Sequence, residues 1–193
     1  MAVQTYHLEH LPVDRPVHIA LFRNVRNAGF LKEQLLSGNI DFEYALIDAS
    51  MIVSTIHALA AVFRAVNDMM FSRLRSRNVH SEVVFALSPN NNISEALSRF
   101  GIGEHTTSLL VVKVSTVPEV SSRSVQQHLD KVLEGTPVDF SDENLHSMTD
   151  LARVRKVYKL QEGARKVQGR SSKKGSLASG LDETKVLDGK ELE

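Results

Sequence analysis

Leu109-Leu110-Val111-Val112-Lys113-Val114 is the clearest strand signal in the chain, and the fold is read outward from it. Just upstream, Val83–Leu87 reads as another buried-type strand, ended by Ser88-Pro89. Between them, Asn92-Ile93-Ser94-Glu95 has the form of a capping box, with Glu95 placed to reach back to the Asn92 amide, and Gly101 stands where a left-handed C-cap belongs. Nearer the N-terminus, Tyr6–Leu11 and Val17–Phe22 are two short strands separated by Pro12 and Pro16, and Tyr44–Ile47 is a further short strand. Residues 27–37 follow a helical pattern that stops at Gly38. Residues 55–72 form the longest helix, capped by Ser54, with apolar side chains at three- and four-residue steps. Downstream, Val125–Leu133 is an amphipathic helix broken at Gly135-Thr136-Pro137, and Leu151–Leu160 is a last short helix with Ser141 or Thr149 as its cap. About five strands and five helices, out of strict alternation, predict an α+β domain with a small mixed or antiparallel sheet covered by helices.

Composition bounds the function. The 193 residues carry 23 basic and 23 acidic side chains, so no global field holds a polyanion and any nucleic-acid contact must be a local patch. Zero cysteines exclude disulfides, thiolate metal sites and cysteine nucleophiles. No run reaches the roughly 20 apolar residues that span a bilayer, and the N-terminus lacks the basic start and apolar core of a signal peptide. An intracellular, soluble chain without membrane contact is expected. Charge and hydropathy divide it near residue 160. Residues 161–193 have no aromatic side chain and only 8 of the apolar set, with Gly, Ser and charge between them. That composition predicts a disordered tail behind a domain at 1–160.

The search for catalytic chemistry returns little. Eight histidines, His7, His10, His18, His57, His80, His105, His128 and His146, form neither H-x-H nor H-E-x-x-H. There is no G-x-S-x-G, no P-loop, and Gly101-Ile102-Gly103 lacks the third glycine and the following helix of a dinucleotide site. Asp142 and Glu143 fit a helix N-terminus better than an acid–base pair. No cofactor, no metal and no enzyme activity are expected.

Two features point to binding. Arg73-Leu74-Arg75-Ser76-Arg77-Asn78 is the densest positive patch of the domain. If residues 73–77 are extended, the three arginines project from one face at steps of about 6–7 Å, close to the spacing of successive phosphates. If the helix continues, only Arg73 and Arg77 share a face, and arginines at a helix C-terminus also have a purely dipolar explanation. Arg153, Arg155, Lys156 and Lys159 form a second basic cluster. The other feature is apolar excess on the helices at 27–37 and 55–72, which fits either core packing or a protein interface.

The run Ser88-Pro89-Asn90-Asn91-Asn92-Ile93-Ser94-Glu95-Ala96-Leu97, preceded by Arg75-Ser76-Arg77-Asn78, resembles the PRPK-binding protein family, the small non-catalytic subunit of the KEOPS complex. Val25-Arg26-Asn27-Ala28-Gly29 and Arg155-Lys156-Val157-Tyr158-Lys159-Leu160 extend the resemblance over about residues 3–160. It implies a chain that binds the N-lobe of a small atypical kinase and, through it, an ATPase-like catalytic subunit. It also implies help in holding tRNA by its 3′ CCA end while threonylcarbamoyl is placed on the adenosine next to the anticodon. A fungal or other eukaryotic source, work in nucleus and cytoplasm, and a link to telomere maintenance follow from the same resemblance. The S-P-N-N-N-I-S-E-A-L run itself reads as mainly fold-specifying.

On this reading tRNA falls to Arg73, Arg75 and Arg77, with Arg99 as an addition. The kinase falls to the apolar faces around Ala28, Phe30 and Leu31 and around Val62, Phe63 and Val66. One departure stands out: family members continue beyond the Y-K-L segment into an apolar helix that contributes to kinase contact, whereas Leu160 here leads into the Gly/Ser/charged tail. Two other readings remain beside it. A small hydrolase or metal enzyme would gather several of the histidines in one pocket. A pure protein-interaction module would bind the kinase without tRNA.

Overall fold

The computed structural model describes residues 3–160. The sheet is antiparallel throughout: β1 (Val3–Tyr6), β2 (Val17–Arg23), β4 (Leu109–Val114) and β3 (Ala45–Asp48) lie side by side in that order, and β5 (Thr136–Val138) pairs with the end of β2 that β1 leaves free. Helices cover both faces. They are α1 (Ala28–Leu36), α2 (Thr55–Met70), α3 (Val79–Ala86), α4 (Ile93–Phe100), α5 (Ser122–Val132), α6 (Asp142–Met148) and α7 (Leu151–Val157). Single 3-10 turns at Ile40–Phe42 and Ala49–Met51 flank β3.

β4 explains why its run is almost unbrokenly apolar. Leu110, Val112 and Val114 point into one core with Ile19, Ile47, Val62 and Val66, while Leu109 and Val111 point into the other with Phe22, Leu31, Phe42 and Leu129. A strand covered on both faces loses the polar alternation of a half-exposed one. Helices α2 and α3 pack on the first face, α1 and α5 on the second.

The α+β expectation holds, with several elements redrawn. Val83–Leu87 is no strand but the second half of α3, started by Asn78, whose side chain accepts from Ser81 N–H at 2.9 Å. Six of its eight residues are buried, and a short helix buried nearly all round has no periodicity to separate it from a strand. The first strand is Val3–Tyr6, not Tyr6–Leu11. β5 and α6 occupy what reads as a simple break, and Pro137 suits a short edge strand because it has no N–H to donate. Ser54 does cap α2, but Ser141 caps α6 and Asp150 caps α7. Glu95 bonds the Asn90 amide group at 2.6 Å rather than the Asn92 N–H. Gly101 has φ −74, so its need for glycine is one of space: a Cβ there would lie 2.5 Å from the Leu97 carbonyl oxygen. Among the described residues no helix is long and apolar enough to cross a membrane. The tail expected to be disordered lies outside the described residues.

Candidate functional site

The arginine-rich segment is a loop between α2 and α3. Helix α2 ends at Met70, Ser72 turns the chain with φ 54, and the Arg73 N–H bonds back to Asp68 O at 2.7 Å. From there the side chains alternate: Arg73, Arg75 and Arg77 are exposed, while Leu74, Ser76 and Asn78 are half-buried. The helical alternative is therefore not realised: the segment is a loop that bends at residues 76–78, with all three arginines exposed. Glu82, one turn into α3, holds the loop from beneath. Its Oε2 accepts the Arg75 and Ser76 backbone N–H groups at 3.0 and 2.7 Å and the Ser76 hydroxyl at 2.5 Å.

The three guanidinium groups differ in their partners. Arg73 pairs with Asp68 at 3.2 Å and lies over the Phe71 ring. Arg75 donates to Asn91 Oδ1 at 3.0 Å, which ties the loop to the start of α4. Among the described residues no carboxylate lies within ion-pair distance of Arg77, which extends past Gly38. Arg99 is bound elsewhere: its guanidinium pairs with Glu95, and its carbonyl accepts from Arg153 Nη2 at 3.1 Å. Arg153, from the second basic cluster, is itself neutralised by Asp48 at 2.8 Å.

Beside Arg77 opens a groove of about 450 Å³, walled by Lys32, Tyr44, Asn78, His80 and Ser81 above Leu35, Leu46, Val84 and Ile102. His80 is almost wholly buried. Its Nε2 accepts the Val114 N–H at 3.2 Å, so the ring proton sits on Nδ1, which has no partner among the described residues. Burial, with Lys113 nearby, pushes its pKa down to about 3, so the imidazole is a neutral donor. The floor is apolar and the rim mixes charge: Arg77 and Lys32, the latter paired with Glu104 at 3.3 Å, share it with Glu43, while His80 Nδ1 is buried.

The apolar residues assigned to the kinase separate sharply. Ala28 and Leu31 are 2% exposed and Val62 and Val66 0%, so these four are core and cannot touch a partner of the folded domain, which corrects their assignment to a surface. Phe30 and Phe63 remain accessible at 45% and 37%. They are not brought together, because α1 and α2 cover opposite faces of the sheet. On α2, Ile56 and Met70 are exposed with Phe63 at seven-residue steps, giving a stripe along the outer face. At its start, His57 Nε2 meets the Tyr158 hydroxyl at 2.9 Å, and that hydroxyl donates to Leu87 O at 2.6 Å, so the end of α7 is fastened beside the stripe.

Two other histidines serve separate local networks. His18 bridges Thr5 and Ser115, and His128 bonds and stacks on Tyr44. Among the described residues no group of three or more His, Asp or Glu is placed to hold a metal ion. Glu82, His80, Ile56 and Met70 escape a reading by residue type.

Residues 22–183 match the family described as "Kinase binding protein CGI-121". The chain is 58% identical over 158 residues to the "EKC/KEOPS complex subunit cgi121" of Aspergillus terreus, covering 82% of this chain and 80% of that one. It is 57% identical over 157 residues to the subunit of the same name from Coccidioides immitis, covering 81% and 76%. It is 34% identical over 144 residues to that of Schizosaccharomyces pombe, covering 75% and 82%.

Proposed function

Because this chain belongs to the CGI-121 family of kinase-binding proteins, we propose that it is a non-catalytic KEOPS subunit that carries the small atypical kinase of that complex and reaches the ATPase-like subunit through it. The observation that carries the reading is the family match across residues 22–183. The α2 stripe is the surface that fits such a partner: Phe63 is the anchor, with Ile56 and Met70 on either side of it. Phe30, exposed on the opposite helical layer, lies apart from that stripe. The test is co-elution of the full chain with the kinase of the same organism on a sizing column. A stable 1:1 peak is expected. Separate elution at micromolar concentrations overturns the reading for this chain.

The same reading gives the chain a part in holding tRNA by its 3′ CCA end. Arg73, Arg75 and Arg77 on one exposed face support it, with the groove beside Arg77 as the adjoining cavity. A tRNA lacking the CCA end should bind several-fold worse than the intact molecule. Equal binding would leave a protein-interaction module without tRNA recognition. Work in nucleus and cytoplasm, and a link to telomere maintenance, belong to this reading and rest on the resemblance alone.

A further inference from the structure

We infer that Glu82 is a positioning residue for the arginine loop, holding Arg75 and Arg77 in phosphate-binding register. Two observations set this carboxylate apart. It is 2% exposed and has no cationic partner among the described residues; what satisfies it is the backbone of the loop and one hydroxyl. A buried carboxylate without a counter-ion is costly unless donors converge on it, and here all three named donors come from Arg75 and Ser76. Elsewhere the loop is held at its start by the Arg73–Asp68 contacts and on its outer side by Arg75 donating to Asn91, whereas Glu82 alone grips its backbone at Arg75 and Ser76. Ser76 completes the arrangement by sharing its hydroxyl between Glu82 and the Asn78 carbonyl. Because Ser76 points inward, its neighbours Arg75 and Arg77 must point outward. A slip of one residue would turn Ser76 out and both arginines in.

This inference rests on the arginine loop binding RNA, and the charge of Glu82 makes the two separable. Electrostatics alone predicts that Glu82→Gln, which removes a negative charge under the arginines, tightens tRNA binding. Positioning predicts the opposite, because all three donors converge on Oε2, and an uncharged amide oxygen holds them more weakly than a carboxylate oxygen does. The measurement is tRNA affinity of the full-length chain across a salt series, with thermal melting to verify the fold. Glu82→Gln should weaken binding roughly tenfold near 0.1 M salt and flatten the log–log salt slope by about one to two. Ser76→Ala, which removes a single donor and leaves the charge in place, should weaken binding about threefold in the same direction. Unchanged or tighter binding by folded Glu82→Gln, or unchanged binding by Ser76→Ala, overturns the inference. An Arg73→Ala/Arg75→Ala/Arg77→Ala variant run alongside identifies the alternative failure: if it too binds tRNA normally, the arginine loop is not the RNA site.

Discussion

Helix α2 and the loop that follows it are continuous in sequence and opposite in surface. From Ile56 to Met70 the outer face carries an apolar stripe, with the Arg64–Asp68 pair beside it, and it is held in place by Ala58, Val62, Ala65 and Val66 buried directly behind it. From Arg73 to Arg77 the outer face is cationic, and beneath it lies one buried carboxylate instead of a core. The helix is thus positioned by non-directional packing and the loop by directed hydrogen bonds, three of them to Glu82. Contacts made by the first should be nearly indifferent to salt, and contacts made by the second strongly sensitive to it. Two surfaces with such different physics, meeting at Phe71, suit two partners of different kind.

The sharpest way to break that comparison is to place charge on the apolar side. Phe63→Glu should lower affinity for the kinase about a hundredfold, as loss of a central anchor does, while leaving the melting temperature within a few degrees, since the ring is already 37% exposed. Titration calorimetry at two salt concentrations would measure it, and the loss should be the same at both. Val62→Ala, one residue away, should behave oppositely. It removes buried volume at 0% exposure, so about 2 kcal/mol of stability should be lost with kinase affinity of the folded protein unchanged. A fall in affinity without a fall in stability would return Val62 to the interface.

That adjacent pair also marks where the sequence runs out. Both residues sit in a helix apolar almost all round, and only the placement of the sheet decides that Val62 turns inward and Phe63 outward. The same ambiguity produced the misreading of α3, where Val83, Val84 and Phe85 are as apolar and branched as a strand. β4 was legible because its six residues are too few for a helix and too uniformly Leu and Val for a loop. The arginine loop was legible as a list of charges but not as a surface. Its form is set by Glu82, six residues beyond Ser76, and no pattern in residue type alone predicts that hydrogen bond.

Acid should act through the segment beyond the loop. His80 is neutral in the folded protein, with its pKa pushed from 6.5 to about 3 by burial. The unfolded chain therefore takes up a proton there first as pH falls, so stability is full above about pH 6.5 and is lost progressively toward pH 3. By pH 5 the loss from this one group is on the order of 2 kcal/mol. His18, His57 and His128 are shifted the same way and add to it. His80→Gln keeps an acceptor for the Val114 N–H and removes the titration. Chemical denaturation at pH 7 and pH 5 should then show a smaller difference than in the parent chain, and an undiminished difference would place the acid sensitivity elsewhere.

The smallest expected effect separates arginines that look equal in the sequence. Arg77 has no carboxylate partner among the described residues, so Arg77→Ala should remove one phosphate contact, weakening tRNA binding roughly three- to tenfold near 0.1 M salt and reducing the salt slope by about one. Arg99 is already paired with Glu95 across one helical turn, and its backbone carbonyl is engaged by Arg153. For Arg99 to reach a phosphate it must abandon that pair and leave Glu95 facing the RNA. Arg99→Ala should therefore change tRNA affinity less than twofold, because the paired guanidinium makes no phosphate contact to lose. Glu95→Gln supplies the complement: if Arg99 is idle only because Glu95 holds it, freeing it should strengthen binding and steepen the salt slope. If neither substitution moves the slope, position 99 lies outside the RNA footprint, and the cationic surface is the loop alone.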